Sequence, residues 1–480
     1  MGLWSKKLLS EFTLDKQIQG KGFNRALTTF DLIMLGIGCV IGAGLFSITG
    51  IAAAQNAGPA IAISFVLAAF GCLFAGLSYC ELAAMIPISG SAYSYAYASL
   101  GELVAWIIGW DLILEYAIGA SAVAISWSAY AVSFAKDLGI LIPECFSASP
   151  WQIFSLSGDR FCYGAANIPA ACIVIAISLL LMRGIKQSSI VNTVFVMIKV
   201  TIALIFICVG AFYVNVENYS PFIPENTGVF GEFGLSGILR ASGVLFFAYI
   251  GFDSVSTTAF EAKNPQKSVP RGILGSLFIC TIIYILFSIV LTGLVNYKEL
   301  GVAAPVALAI SKTPYPWLQW LIKLAVLAGL TSVMLVLLLG QSRIFYAMAS
   351  DGLLPKRFTQ LHKEFKTPWV CNIVLLIGVS LIAAFVPITV ISHTTSIGTL
   401  FAFVVVCAGV IILRVRHPDH PRTFKVPLFP YIPLLGIATC LLMMFSLDIM
   451  TWVRLFIWLA IGLVIYIAYG RKHSIKNVGQ

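Results

Sequence analysis

Lys199 stands alone among apolar residues: from Val194 to Gly210 no other side chain is charged. A lysine at the centre of a bilayer costs about 2.5–3.5 kcal/mol on insertion scales, so it should face protein and have a role. The bland alternative is a snorkelling or statically paired lysine. Asp111 and Glu115 lie four residues apart and so share a helix face, and Asp253 follows Gly251 in another apolar run. Ionisable groups kept from water in such runs are natural proton carriers. The expected chemistry is proton transfer. Glu115, Asp253 and Lys199 are read as the coupling set, and Asp111, nearer a membrane face, as a packing residue.

A second chemistry uses the backbone. Residues Gly36-Ile37-Gly38-Cys39-Val40-Ile41-Gly42-Ala43-Gly44-Leu45-Phe46 hold four glycines, each weakening a helix by about 1 kcal/mol relative to Ala. In lipid, unpaired backbone is tolerated only where it lines a protein cavity. A matching candidate break lies at Phe247–Gly251. Freed N–H groups at Ala43–Gly44 suit a carboxylate. Freed carbonyls near Val40, with those of Phe247, Ala248 and Ile250, suit an ammonium. A zwitterionic ligand would carry both groups. The predicted substrate contacts are therefore Val40, Ile41, Gly42, Ala43, Gly44, Phe247, Ala248 and Ile250, with Tyr116 and Gly119 walling the pocket. Close GxxxG-like helix packing is the bland reading of the glycines.

The elements that must position these groups are membrane helices. The 480 residues are 59% apolar and 10% charged, against about 45–50% and about 25% in soluble domains. Uncharged stretches such as Val370–Ile391, Thr395–Leu413 and Leu277–Leu294 can each cross about 30 Å of hydrocarbon. Twelve spans are expected, near 30–55, 59–86, 100–133, 166–182, 190–214, 237–260, 272–295, 320–348, 369–388, 394–413, 430–447 and 451–470. The first and sixth are interrupted.

Lys and Arg set the orientation. With both ends cytoplasmic, Arg183, Lys186, Lys263, Lys267, Arg271, Arg343, Lys356, Arg357, Lys363, Lys366 and the cations from Arg414 to Lys425 all fall inside with the tails. Only Lys136, Arg160, Lys298, Lys312 and Arg454 fall outside. The net charge of +10 thus reports topology in a cell (inner) membrane and implies no nucleic-acid partner. No cleavable signal peptide is expected in the polar, basic first 29 residues.

Little else suggests chemistry. The cysteines form no CxxC or Cys/His cluster, so no metal or other cofactor is expected. Cys145 and Cys162 share an outside loop, where an oxidising environment permits a disulfide. The histidines sit in loops, span edges or tails, there is no phosphate-binding G-x-x-x-x-G-K-[ST] loop, and no catalytic constellation appears. The chain reads as a non-enzyme. An accessory membrane subunit is left open.

Setting aside the last two spans leaves five plus five. An odd number per half inserts the halves with opposite topology, and such a repeat places a binding site between matching broken helices. The expected organisation is a tail (1–29), a first five-helix repeat (30–214), an inverted second repeat (215–425) and two added helices with a C-terminal tail (426–480).

Six stretches in this order resemble the amino acid–polyamine–organocation transporters, especially the bacterial cationic-amino-acid-transporter branch. They are Gly36–Phe46, Tyr79-Cys80-Glu81-Leu82 through Ser89-Gly90-Ser91-Ala92-Tyr93, Gly109–Tyr116, Phe246–Asp253, Glu261–Gly272, and Gly340-Gln341-Ser342-Arg343 through Pro355. The resemblance implies an all-α LeuT-type fold of twelve helices and makes Phe247 a lid over bound substrate. It also puts Lys199 where sodium sits in sodium-coupled relatives. Ala43 departs from the Ser or Thr often found there. Twelve spans, where animal members look to have fourteen, suggest a prokaryotic relative.

The expected function is proton-coupled symport of a small neutral amino acid such as alanine, by alternating access. Uptake of Arg or Lys, amino acid exchange, and a channel or nutrient sensor on the same scaffold are the alternatives. The stretch Leu327–Met334 supplies mainly apolar side chains with the hydroxyls of Thr331 and Ser332. Glu81 and Arg343, near the cytoplasmic ends of their spans, are candidates for an inner-gate ion pair or a static one.

Overall fold

The computed structural model describes residues 27–86, 91–151, 153–156, 160–183, 189–258, 262–365 and 367–474. The tail before residue 27, the Ser89-Gly90 and Glu261 parts of two motifs, and the side chain of Cys162 lie outside the described residues. The Cys145–Cys162 pairing therefore does too. The described chain is helical apart from one hairpin, Ile153–Leu156 paired antiparallel with Arg160–Tyr163.

Among the described residues, eight helical runs are long and apolar enough to cross a membrane, and four further apolar helices are shorter. In chain order the principal elements are α1 (Thr29–Val40), α2 (44–57), α3 (Ile61–Met85), α4 (Glu102–Asp137), α5 (Ile168–Met182), α6 (Ser189–Ala211) and α7 (Gly234–Leu245). They continue with α8 (Ser254–Thr257), α9 (Pro265–Leu294), α10 (Pro316–Ser350), α11 (Trp369–Phe385), α12 (Ile388–Arg416), α13 (Tyr431–Ser446) and α14 (Ile449–His473). Shorter helices at Ser91–Ser99 and Pro305–Ser311 connect them.

α1 begins with a capping box. The Thr28 N–H donates to Asp31 at 2.8 Å, and the Asp31 N–H donates back to the Thr28 hydroxyl at 3.4 Å, satisfying two donors that a helix start leaves open. It ends where Ile41 turns extended (φ −72°, ψ 97°), inside the glycine-rich stretch. α7 ends in a 3₁₀ turn, Phe246–Tyr249, followed by extended Ile250. Gly251 then takes φ +108°, a conformation glycine adopts at little steric cost. A third irregularity was not foreseen. α4 contains a π-turn, Leu114–Ile118, which carries Glu115 and Tyr116; such turns are frequent at functional sites.

α9 lies against α1 and α3, α10 against α4 and α6, α11 against α5, and α12 against α3 and α13. α14 packs at the edge on α12 and α4. Large apolar side chains such as Phe278, Phe445 and Val464 remain exposed around the outside, as expected of a surface facing lipid rather than water.

One end of the bundle gathers basic loops. There the Lys263 N–H meets the Leu27 carbonyl at 3.0 Å, and the Glu81 carboxylate is fully engaged. Glu81 accepts from Arg414 Nε at 2.8 Å, from Arg414 Nη2 at 2.5 Å and from the Val426 N–H at 2.7 Å, with Arg422 Nε 3.3 Å away. Glu81 thus joins an ion pair, with Arg414 and Arg422. A bidentate arginine matches the carboxylate plane, and the Arg414 stem comes from α12, which packs along α3. At the opposite end Lys323 Nζ pairs with Asp137 at 2.5 Å, tying α10 to α4.

Candidate functional site

The two interruptions meet at the centre of the bundle. A Cβ on Gly44 would overlap the Ala248 backbone, and one on Gly251 would lie 2.9 Å from the Cys39 Cβ. Both glycines therefore permit close backbone approach. Tyr284 of α9 reaches into the same place. Its hydroxyl is 2.8 Å from the Val40 carbonyl and 2.8 Å from the Ala248 carbonyl. With one proton it can donate to either, so a single side chain ties the two breaks together. The first N–H groups of α2, at Ala43 and Gly44, have no carbonyl within their own helix, as at any helix start.

Between the breaks is a cavity of about 20 Å³, room for about one water. Its walls include Val40, Gly42, Ala43, Gly44, Gly119, Phe247 and Ile250, which the sequence singled out, and Glu115. Val333, from the Leu327–Met334 stretch, completes them together with Cys39, Val123 and Leu337, which were not assigned beforehand. Three expected contacts lie elsewhere. The Ile41 carbonyl faces Lys199, the Tyr116 hydroxyl donates to Asp253, and Ala248 packs on Gly44 with its carbonyl at Tyr284. The hydroxyls of Thr331 and Ser332 turn back to the carbonyls of Leu327 and Gly329, at 2.8 and 2.9 Å. What α10 presents to the cavity is aliphatic.

Lys199 is buried from solvent, and its ammonium donates to the Gly38 carbonyl at 2.8 Å and approaches that of Ile41 at 3.5 Å. These carbonyls belong to the C-terminal end of α1, where the helix dipole favours a cation. Gly329 gives the lysine stem its space: a Cβ there would sit 3.0 Å from Lys199 Cγ.

Asp253 lies just past the second break. One oxygen accepts from the Tyr116 hydroxyl at 2.7 Å and the Ser91 hydroxyl at 3.0 Å, with the Tyr79 hydroxyl 3.5 Å away. Its other oxygen, and both oxygens of Glu115, have no hydrogen-bond partner of good geometry among the described residues. Glu115 is a close electrostatic neighbour of Asp253 and borders the cavity. Asp111, four residues earlier, points instead toward Gly398 of α12, where an added Cβ would lie 2.9 Å from its Oδ1. Gln341 of α10 is also buried, its amide without a hydrogen-bond partner among the described residues. Lys199 and Asp253 do not form an ion pair among the described residues. Each is solvated by neutral dipoles.

Comparison with known proteins places this apolar helical chain in a family. A family model described as amino acid permease matches residues 27–468. The chain is 43% identical over 479 residues to the methylthioribose transporter of Bacillus subtilis (strain 168), covering 99% of each protein. It is 44% identical over 458 residues to the branched-chain amino acid permease BcaP of the same organism, covering 95% of each. Cationic amino acid transporter 9, chloroplastic, of Arabidopsis thaliana is 38% identical over 410 residues, 85% of this chain and 69% of that protein. These relatives are named as transporters and permeases, not enzymes. The chain belongs to the amino acid permease family of the amino acid–polyamine–organocation superfamily and is a multi-pass membrane protein.

Proposed function

We propose that this permease is a secondary active transporter that carries a neutral amino acid with an aliphatic side chain together with a proton. The observation that carries the substrate class is the cavity wall. Val123, Ile250, Val333 and Leu337 stand around the broken-helix backbone, and no arginine or lysine lines it. Backbone dipoles would receive the carboxylate and ammonium, and the aliphatic wall would receive the side chain. Alanine fits this chemistry, and so do the branched-chain amino acids that name one relative. A cationic substrate would need an acceptor for its distal charge, and the only carboxylate on the cavity is Glu115. A methylthioribose-like substrate is the second reading, motivated by the relative matched over 99% of both chains. The cavity has few side-chain hydroxyl or amide partners for sugar hydroxyls.

The proposed mechanism is alternating access in a LeuT-type arrangement of twelve spans, five plus five inverted, with both ends in the cytoplasm of a cell-membrane protein. A cavity of about 20 Å³ is too small for an amino acid, so loading requires its walls to part; Phe247 is the proposed lid. Asp253 and Glu115, adjacent carboxyls with three hydroxyls around one of them, can hold and pass a proton. Lys199, on the carbonyls of α1, supplies the cation that a sodium ion would otherwise provide.

Uptake by purified protein in liposomes tests the reading, using alanine, valine, leucine, isoleucine, arginine and methylthioribose. Accumulation of an aliphatic amino acid under an inward proton gradient without sodium is expected. Accumulation only of arginine or methylthioribose, or an absolute need for sodium, would overturn it. A cysteine placed near Lys363 should react with an impermeant thiol reagent only from the cytoplasmic side.

A further inference from the structure

Two cavities at the end of the bundle opposite the Glu81–Arg414 cluster adjoin at Val390 and Arg454, which line both and make them one two-part recess. The first, about 520 Å³, is walled by ionisable side chains that include Glu232, Arg240, His393 and Asp448. The second, about 270 Å³, is an apolar groove on the outside of the bundle between α4, α11, α12 and α14. Leu114, Ile118, Ile382, Val386, Ile457 and Ile461 form its sides. Ile457 and Ile461 are 56% and 47% exposed, so the groove opens toward lipid.

The charges at the polar end are unequally committed. Asp448 accepts from the Thr451 hydroxyl at 2.5 Å and its N–H at 3.2 Å, and lies 3.3 Å from His393 Nδ1. The hydrogen bond from His393 holds the Asp448 carboxyl well below the usual carboxylate range, so it stays an engaged anion. Glu232 accepts from the Thr227 hydroxyl at 2.7 Å. Arg240 gives its Nε to the Ser446 carbonyl at 3.0 Å and covers the Phe230 ring at 5.6 Å. Arg454 makes no hydrogen bond or ion pair among the described residues, although its charge helps to hold the nearby Asp448 carboxyl low; of the five ionisable side chains named, it alone also lines the groove.

We propose that this recess binds an anionic phospholipid, with an acyl chain in the groove and the phosphate on the Arg454 guanidinium. A site charged at one end and apolar along the rest is complementary to an amphiphile. Arginine's planar fork matches phosphate oxygens two at a time. A free amino acid would use the charged end and leave the groove empty. The bound lipid would brace α14 against α4 and α12, alongside the Trp110–Trp458 stack (ring centroids 4.8 Å apart).

The test is thermal unfolding of the full chain in detergent micelles doped with phosphatidylglycerol, with phosphatidylcholine, or with inorganic phosphate alone. Phosphatidylglycerol should raise Tm in a dose-dependent way, and phosphate alone should not. Arg454→Gln should need about tenfold more phosphatidylglycerol for the same shift, the loss expected for one hydrogen bond to a charged group. Arg454→Lys should recover much of it. Ile457→Trp, which fills the groove and keeps the charge, should blunt the shift independently, and it carries the test if Arg454→Gln does not fold. An equal shift from phosphatidylcholine would overturn the proposal. So would a shift from phosphate alone, an unchanged dose in both variants, or loss of the substrate-induced shift in Arg454→Gln.

Discussion

The two broken helices solve the same problem with opposite charges. At the first break the ends are left open by a run of glycines, and a cation, Lys199, is brought by α6 to the carbonyls of Gly38 and Ile41. At the second a single glycine at φ +108° makes the turn. A carboxyl, Asp253, is then held by hydroxyls from Tyr116 of α4 and from Ser91. Neither charge neutralises the other. Buried charges that are not paired with each other must be solvated by dipoles, and dipoles can let go of a proton or a substrate without breaking an ion pair. In the proposed mechanism the first break is therefore where a cation would substitute for a metal ion, and the second where a carboxyl would be loaded.

The largest effect should come from closing the first break. Gly44→Val would drive its side chain into the Ala248 backbone and cover the N–H groups of Ala43–Gly44. Uptake should fall to background while the protein still inserts and purifies. A normal substrate-induced rise in Tm would exclude the backbone site.

Removing the cation comes next. Lys199→Ala leaves the Gly38 and Ile41 carbonyls without their donor, and proton-driven accumulation should be lost. Accumulation at the wild-type rate would make the lysine structural and erase the contrast between the breaks.

The matching change at the second break is milder. Gly251→Ala forces a side chain into a left-handed conformation, at about 1–3 kcal/mol, and toward Cys39. Lower thermal stability with retained but slower uptake is expected. An unchanged melt would mean that the turn relaxes freely. The smallest effect should be Tyr284→Phe, which removes one hydroxyl shared by both breaks. A loss of about 1 kcal/mol is expected in chemical unfolding, with substrate affinity altered because both carbonyls are freed. No change in either quantity would show that the bridge does not couple the breaks.

Much of this was legible in the residues themselves. Glycines crowded into an uncharged stretch, and a lone lysine in another, violate the economy of a membrane helix so plainly that a break and a buried cation follow. Both are found, at Ile41 and at Lys199. The family was legible too, because six motifs in order are specific, and the 27–468 match agrees.

What only the tertiary structure decided lies across long sequence distances. Tyr284 meets a carbonyl 244 residues away, and nothing in its own apolar helix marks that tyrosine from others. Val123, Val333 and Leu337 reach the cavity from helices that are apolar nearly all round, where the pattern of residues does not tell which side faces inward. Thr331 and Ser332 looked available to a substrate, but in a helix without water their hydroxyls are satisfied by the preceding turn. Glu81 found Arg414 and Arg422 because α12 packs on α3, a choice made by helix packing. Composition and spacing set which groups could not face lipid. Which partners they met inside was decided by how the apolar helices packed.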